Sequence, residues 1–298
     1  MRRLAYAASI ALGAAVVAGA CGGHTMISPS PGNGGNGGNQ QPPPNSLPVI
    51  DSITVQGGRL KEPPNFADAT EVINVTAKVH DEETPVEQLE LQWSATVGTV
   101  DGTGPSVRWR APAAVTAPYD VIISLKVVEH YGQPGGPAVF SHDVTGEAKL
   151  SLHDSVREVS DMAKQFLLDF SNTDLHDADY IMRNFGSGTR CPEPREVTDE
   201  RVDVINNFTN YKIQKYTIYE PVTTVNFKST CPVYGNLGDA CSVVRAFWDS
   251  IRLKDGARGT TDGDDILAAA YSGPEERWWL CSSRYYVHSL TGVLRSIR

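Results

Sequence analysis

Apolar and polar residues alternate with period two through most of residues 49–150. The runs "VIDSITV", "EVINVTAKV", "EQLELQWSATV", "PSVRWRAP", "DVIISLKVV" and "AVFSHDVTGEAKLSL" each send one set of side chains to one face. Turn clusters such as "VDGTGP" and "YGQPGGP" separate them. That spacing predicts short strands packed as an all-β sandwich. From about residue 151 the period becomes 3.6. "SVREVSDMAKQFLLDF" places Val156, Val159, Ala163, Phe166, Leu167 and Phe170 on one helical face, with Ser155 and Glu158 as a capping box. Further helices are expected at "DLHDADYIMRNF" and "TDERVDVINNF", the latter with Asp199 and Glu200 near its positive N-terminal end. Strands follow at "YKIQKYTIYE", "TTVNFKSTC", "CSVVRAFWDSIRL", "DDILAAAYS" and "ERWWLCSSRYYVHSL". Helices first and then a run of strands is an α+β arrangement. The change of period divides the folded part into residues 49–150 and 151–298, each expected to fold alone.

The remaining stretches are read from composition. Residues 22–48 are dominated by Gly, Asn, Gln, Ser and Pro. With almost no apolar surface to bury, they are expected to form a disordered tether with an r.m.s. span of about 30 Å. Before them, Arg2 and Arg3 lead into the apolar run "LAYAASIALGAAVVAGA", which ends in Ala18-Gly19-Ala20 before Cys21. A basic start, an apolar run and small residues make a secretory signal peptide over residues 1–20. The run is at the low end of what spans a bilayer, and Ala and Gly insert weakly. "AGAC" resembles a bacterial lipobox, with Ala18 where leucine is usual. The resemblance implies that Cys21 is acylated and becomes the first residue of a mature chain starting at 21. The chain would then be held on the bilayer by those lipids, at about 0.8 kcal/mol per buried methylene. Gly22 after it resembles the outer-membrane destination, so the expected location is the cell envelope, at the outer membrane or periplasmic face.

Two further resemblances concern the folded parts. "LQWSATVGTVDGTGPSVRWRAP", with Trp93 and Trp109, resembles PKD-type and related immunoglobulin-like modules. The helix–strand order over residues 152–290, the "D-A-D-Y" helix and the closing "E-R-W-W-L" strand resemble the nuclear-transport-factor-2-like, or SnoaL-like, fold. That family implies a cystatin-like cone, a curved antiparallel sheet around a long helix with a pocket at its mouth. Fold alone licenses a pocket and not a reaction.

Charge and cysteine usage narrow the chemistry. The formal net charge is −9, which repels phosphate backbones and excludes nucleic acid as a partner class. Of five cysteines, setting Cys21 aside leaves Cys191, Cys231, Cys241 and Cys281. None forms a C-x-x-C pair, which favours two disulfides over zinc. Four cysteines allow three pairings. If the strands ending at Cys231 and opening at Cys241 form a hairpin, those two pair across its mouth and leave Cys191 with Cys281. The loop Asp81, Glu82 and Glu83 offers hard oxygen ligands for calcium or is a solvated turn. No cofactor motif is present.

Pocket candidates for acid–base or binding roles are His176, Asp177, Asp179 and Tyr180 on the second helix, Asp249 beside Trp248, and Asp264 and Asp265. Against a role for them, "DLHDAD" resembles a polar helix turn and "DGDD" a hairpin loop. In "RWWLCSS", alternation sends Trp278, Leu280 and Ser282 to one face and Trp279, Cys281 and Ser283 to the other. Phe247 or Tyr285 would extend an outer patch at Trp279. Three function classes remain open. One is an anchored, non-catalytic module binding a small molecule or a protein. The second is an isomerase, dehydratase or hydrolase using the pocket. The third is an envelope spacer.

Overall fold

A computed structural model describes residues 43–59, 61–133, 135–137, 140–227 and 238–292. It is mostly β, with several sheets. The expected signal peptide, Cys21, most of the tether and Cys231 lie outside the described residues. Among the described residues no helix is long and apolar enough to cross a membrane.

Eight strands come first: β1 (Val49–Gln56), β2 (Phe66–Asp68), β3 (Val72–His80), β4 (Glu90–Ala95), β5 (Thr99–Asp101), β6 (Ser106–Arg110), β7 (Tyr119–Tyr131) and β8 (Phe140–His153). They form two four-stranded sheets, ordered β1-β3-β6-β5 and β2-β8-β7-β4. All pairs are antiparallel except β2 with β8. The alternation works as the pattern requires. Val55, Ile73, Val75, Val107 and Trp109 from one sheet meet Val121, Ile123, Leu150 and Leu152 from the other in a dry core. Trp109 is fully buried, and its indole N–H donates to the Val97 carbonyl at 2.9 Å. Gly98, at φ 79°, makes room for it, because a Cβ there would meet the Trp109 ring at 2.7 Å. Trp93 is only half-buried. The chain is pinned earlier than residue 49. Asn45 donates to the buried Glu129 at 2.6 Å, and the Ser46 carbonyl lies 3.2 Å from His142.

The acidic loop is a turn. Asp81 Oδ1 accepts from the main-chain N–H groups of Glu83 at 3.0 Å and Thr84 at 2.7 Å. Glu83 instead faces Ser46, and Glu82 is exposed. Among the described residues no group of three or more His, Cys, Asp or Glu is placed to hold a metal.

Three helices follow: α1 (Ser155–Ser171), α2 (Ala178–Ile181) and α3 (Pro194–Asn210). Then come β9 (Tyr211–Asn226), β10 (Ala240–Arg252), β11 (Arg258–Ser272) and β12 (Arg277–Gly292). These four strands make one antiparallel sheet in the order β12-β11-β10-β9. α1 lays Val159, Ala163, Phe166 and Leu167 on the inner face of this sheet, against Val244, Ala246, Leu267, Ala269 and Leu280. Val156, expected on that face, is 48% exposed. The cap also differs. Asp154, not Ser155, is the N-cap and accepts from Arg157 N, while Glu158 accepts from Asp154 N at 2.9 Å. The two expected strands before residue 231 are one. β9 runs through Pro221, which is tolerated because β9 is an edge strand whose outward N–H needs no partner.

The boundary between the two parts is a packed junction. β8 continues to His153, three residues past the expected boundary at 150. Phe66, from β2, belongs to the core around α1, 1% exposed. Arg59 binds Glu62, Asp68 and Glu71 and lies 5.0 Å from the Phe227 ring. Fully buried His153 contacts Ser151, Glu158 and Tyr271.

Cys191 and Cys281 form a disulfide, with Cα atoms 5.4 Å apart. It joins the segment before α3 to the outer face of β12. Gly186 is required there, because a Cβ would meet Cys191 Sγ at 2.9 Å. Cys241 is also disulfide-bonded. The expected partner Cys231 lies outside the described residues.

Candidate functional site

Along β10, even-numbered residues point inward and odd-numbered ones outward, so Trp248 and Ser250 face the helices. Along β11 the inward set is odd, which brings Thr261 and Asp265 to the same face. β12 changes phase. Ala269 pairs with Leu280 and Ala268 with Ser282, which leaves Cys281 as the extra residue of a bulge. Before the bulge Trp278 and Leu280 point in; after it Ser283 and Tyr285 do. The expected grouping of Ser282 with Trp278 and Leu280 therefore fails at one residue. Tyr285 does not join an outer patch. Gly263 allows the tyrosine to lie across β11, since a Cβ there would meet the Tyr285 ring at 2.8 Å.

These residues, with α1 and α3, enclose a pocket of about 250 Å³. Phe166, Phe170, Ile213 and Trp248 form its apolar wall. Glu200, Asp265, Ser283 and Tyr285 supply polar groups, and Asp203 and Asn207 also line it from α3. The wall is held in place. Trp248 Nε1–H donates to Ser171 Oγ at 2.9 Å, Trp248 and Tyr285 meet edge to face at 4.7 Å, and Asn207 donates to the Phe170 carbonyl at 2.7 Å.

Two carboxyl groups are buried in this site. Asp265 is 5% and Glu200 8% exposed. Asp265 accepts from Ser283 Oγ–H at 2.8 Å. Burial pushes its pKa up to about 6, with hydrogen bonds from Ser283 and the Arg284 main chain opposing. Glu200 is pushed well up, first by burial and then by the neighbouring charges of Asp265 and Asp203. Burial also raises the Tyr285 hydroxyl. A buried carboxyl with a raised pKa, an apolar wall and a nearby hydroxyl can bind a polar group or move a proton.

A raised carboxyl pKa makes stability depend on pH in a definite direction. The folded state holds the Asp265 proton more tightly than the unfolded chain does. The contribution is present in full below about pH 4 and is lost as pH rises through about 6. The loss amounts to about 2 to 3 kcal/mol, and Glu200 acts in the same direction. Urea titrations between pH 4 and 7 should show Asp265→Asn losing much less stability with rising pH than the parent chain. Equal slopes would place Asp265 outside a buried environment.

The other candidates go elsewhere. Tyr180 is 48% exposed, under the Arg183 guanidinium at 4.1 Å. Asp177 caps α2, Asp179 pairs with Arg201 at 2.6 Å, and His176 stacks on Phe208. Asp249 points to the outer face of β10, away from the pocket. Trp278 is in the core, donating to Ser155 at 3.2 Å. Asp264 lies within β11, not in a loop, and faces outward to His288 at 2.9 Å. On the outer face Trp279 is flanked by Arg190 and Arg277, at 4.5 and 3.8 Å. Of the expected pocket residues, only Asp265 lines it.

Glu200 lines the pocket, although the sequence pattern places it near the N-terminal end of its helix. α3 starts at Pro194, four residues before the expected "TDERVDVINNF" run, so Glu200 is mid-helix rather than near its N-terminus. It then shares one helical stripe with Val197, Val204 and Asn207. An acid within an inward stripe, and Pro as an N1 signal, were the available clues.

No protein-family model, curated protein or solved structure matches the chain.

Proposed function

We propose that this chain is a lipid-anchored protein of the bacterial cell envelope that holds out a small-molecule-binding pocket. Cys21 is the acylated residue, and residues 21–48 are the tether. Residues 49–150 are an immunoglobulin-like, PKD-type spacer, and residues 151–298 are a nuclear-transport-factor-2-like unit that carries the pocket. The "AGAC" sequence supports the anchor. Two facing four-stranded sheets around Trp109, antiparallel except for the β2–β8 pair, support the spacer, and one antiparallel sheet packed on a long first helix supports the second assignment. The observation that carries the function is the pocket itself, with aromatic walls and two buried carboxyls. Its size is near the lower end of ligand sites.

A second reading is favoured by one group. Asp265, buried, with its pKa raised to about 6 and hydrogen-bonded to Ser283, suits a general base for a small-molecule isomerase or dehydratase.

The test has two parts. Membrane-derived protein should begin at Cys21 and carry acyl chains, and Cys21→Ser should carry none. Native mass spectrometry of the wild-type chain should show a small-molecule adduct that is absent when Thr261→Trp fills the pocket. A soluble, unmodified chain from membranes would contradict the anchor. Identical spectra for wild type and the filled variant would contradict the pocket.

A further inference from the structure

The pocket is unbalanced in charge. Its lining carries the carboxyls of Glu200, Asp203 and Asp265 and, among the described residues, includes no Lys, Arg or His. Arg284, on β12, is turned to Glu196, which it meets at 2.7 Å. Glu200 is over nine-tenths buried in the middle of α3, with no side-chain partner among the described residues. The group that reaches its carboxyl is the main-chain N–H of Ser283. Burial without a cation disfavours the ionised form of a carboxyl, and an arriving cation restores it. Packing alone would be better served by a leucine in that stripe. The same lining is rich in aromatic rings: Phe166, Phe170, Trp248 and Tyr285. Aromatic faces attract a desolvated cation. The net charge of −9 draws cations toward the chain.

We propose that the pocket binds a compact organic amine as its cation, with the ammonium at Glu200 and Asp265 and the apolar body against Phe166, Phe170, Ile213 and Trp248. The inference rests on the pocket being a ligand site and names its ligand class. The ammonium supplies the positive charge that the lining lacks. It also donates hydrogen bonds to both carboxyls. The volume of about 250 Å³ limits the body to roughly one ring with a short arm. Serine and threonine groups at 250, 261 and 283 accommodate a polar substituent.

Three probes of nearly equal shape isolate charge: benzylamine, benzyl alcohol and benzoate. Calorimetric titration of the full mature chain at pH 7 should rank benzylamine about tenfold or more above benzyl alcohol, with benzoate weakest. Glu200→Gln with Asp265→Asn should erase the preference for benzylamine over benzyl alcohol. The ranking on the wild-type chain decides the matter even if the double variant does not fold. Benzyl alcohol or benzoate binding as tightly as benzylamine, with the signal lost in Thr261→Trp, would overturn the amine assignment and keep the pocket. No probe binding the wild-type chain would overturn both.

Discussion

Replacing Cys191 and Cys281 together by alanine is expected to lower stability by about 4 to 5 kcal/mol. The bridge closes a loop with a sequence separation of 90. In the chain-entropy description, closing a loop of that length restricts the unfolded ensemble by about that amount. Replacing both avoids leaving one thiol to form a wrong pair. Both positions are buried, 4% and 2% exposed, beside Ala270, so alanine fits without a polar group left unsatisfied. The effect extends to the pocket. Cys281 is the extra residue of the β12 bulge, and that bulge turns Ser283 and Tyr285 inward. Urea unfolding of the oxidised parent and the double variant measures the loss. A change below about 1 kcal/mol would mean that packing, not the bridge, holds the segment before α3 to β12.

Phe66→Ala is expected to cost about 3 to 5 kcal/mol, the range for emptying a buried aromatic site. Phe66 belongs to the first sheet pair by sequence but to the α1 core by packing. Its ring stacks on His153 at 5.0 Å and meets Phe227 and Tyr271 edge to face, each at 4.9 Å. No rearrangement of β2 alone can refill that space, because Phe66–Asp68 is paired in parallel with Ser151–His153. The junction also holds α1. Asp68 accepts from Ser155 N at 2.8 Å, next to the helix N-cap. The variant should therefore separate the melting of the two halves as well as lower the midpoint. Unfolding followed by near-ultraviolet circular dichroism and by limited proteolysis should show two steps. A single transition at the parent's midpoint would make Phe66 peripheral.

Periodicity carried most of the element order. In β10 the alternation from Val244 to Ser250 alone places Trp248 inward, and "SVREVSDMAKQFLLDF" encodes the face that α1 buries. Asp265 was a candidate on chemistry, although its position read as a loop. In the sheet, Gly259–Gly263 continues the pairing with β10, so the glycines of "DGDD" and its neighbours serve a strand rather than a turn. Features that depend on distant partners were not legible. The second helix stops at Ile181 because the chain turns to lay Asn184–Gly186 against Leu280: Leu280 N–H donates to the Asn184 carbonyl and Gly186 N–H to the Leu280 carbonyl, each at 2.8 Å. Those two long-range bonds override a local helical pattern. The bulge at Cys281 has no local sequence signal, because it exists only in register with Ala268 and Ala269. Phe66 sits in "PPNFAD", which has no period at all, and the rings packed on it, His153, Phe227 and Tyr271, come from far along the chain.

The most direct test of the pocket as the functional centre is a ligand-observed NMR screen of small fragments against the full mature chain, run in parallel with Thr261→Trp. Saturation transferred from the protein should identify a set of binders whose signals vanish in the filled variant, with intermolecular contacts to Trp248, Phe170 and Tyr285. Binders that survive Thr261→Trp unchanged, or that contact the outer face around Trp279 instead, would contradict it.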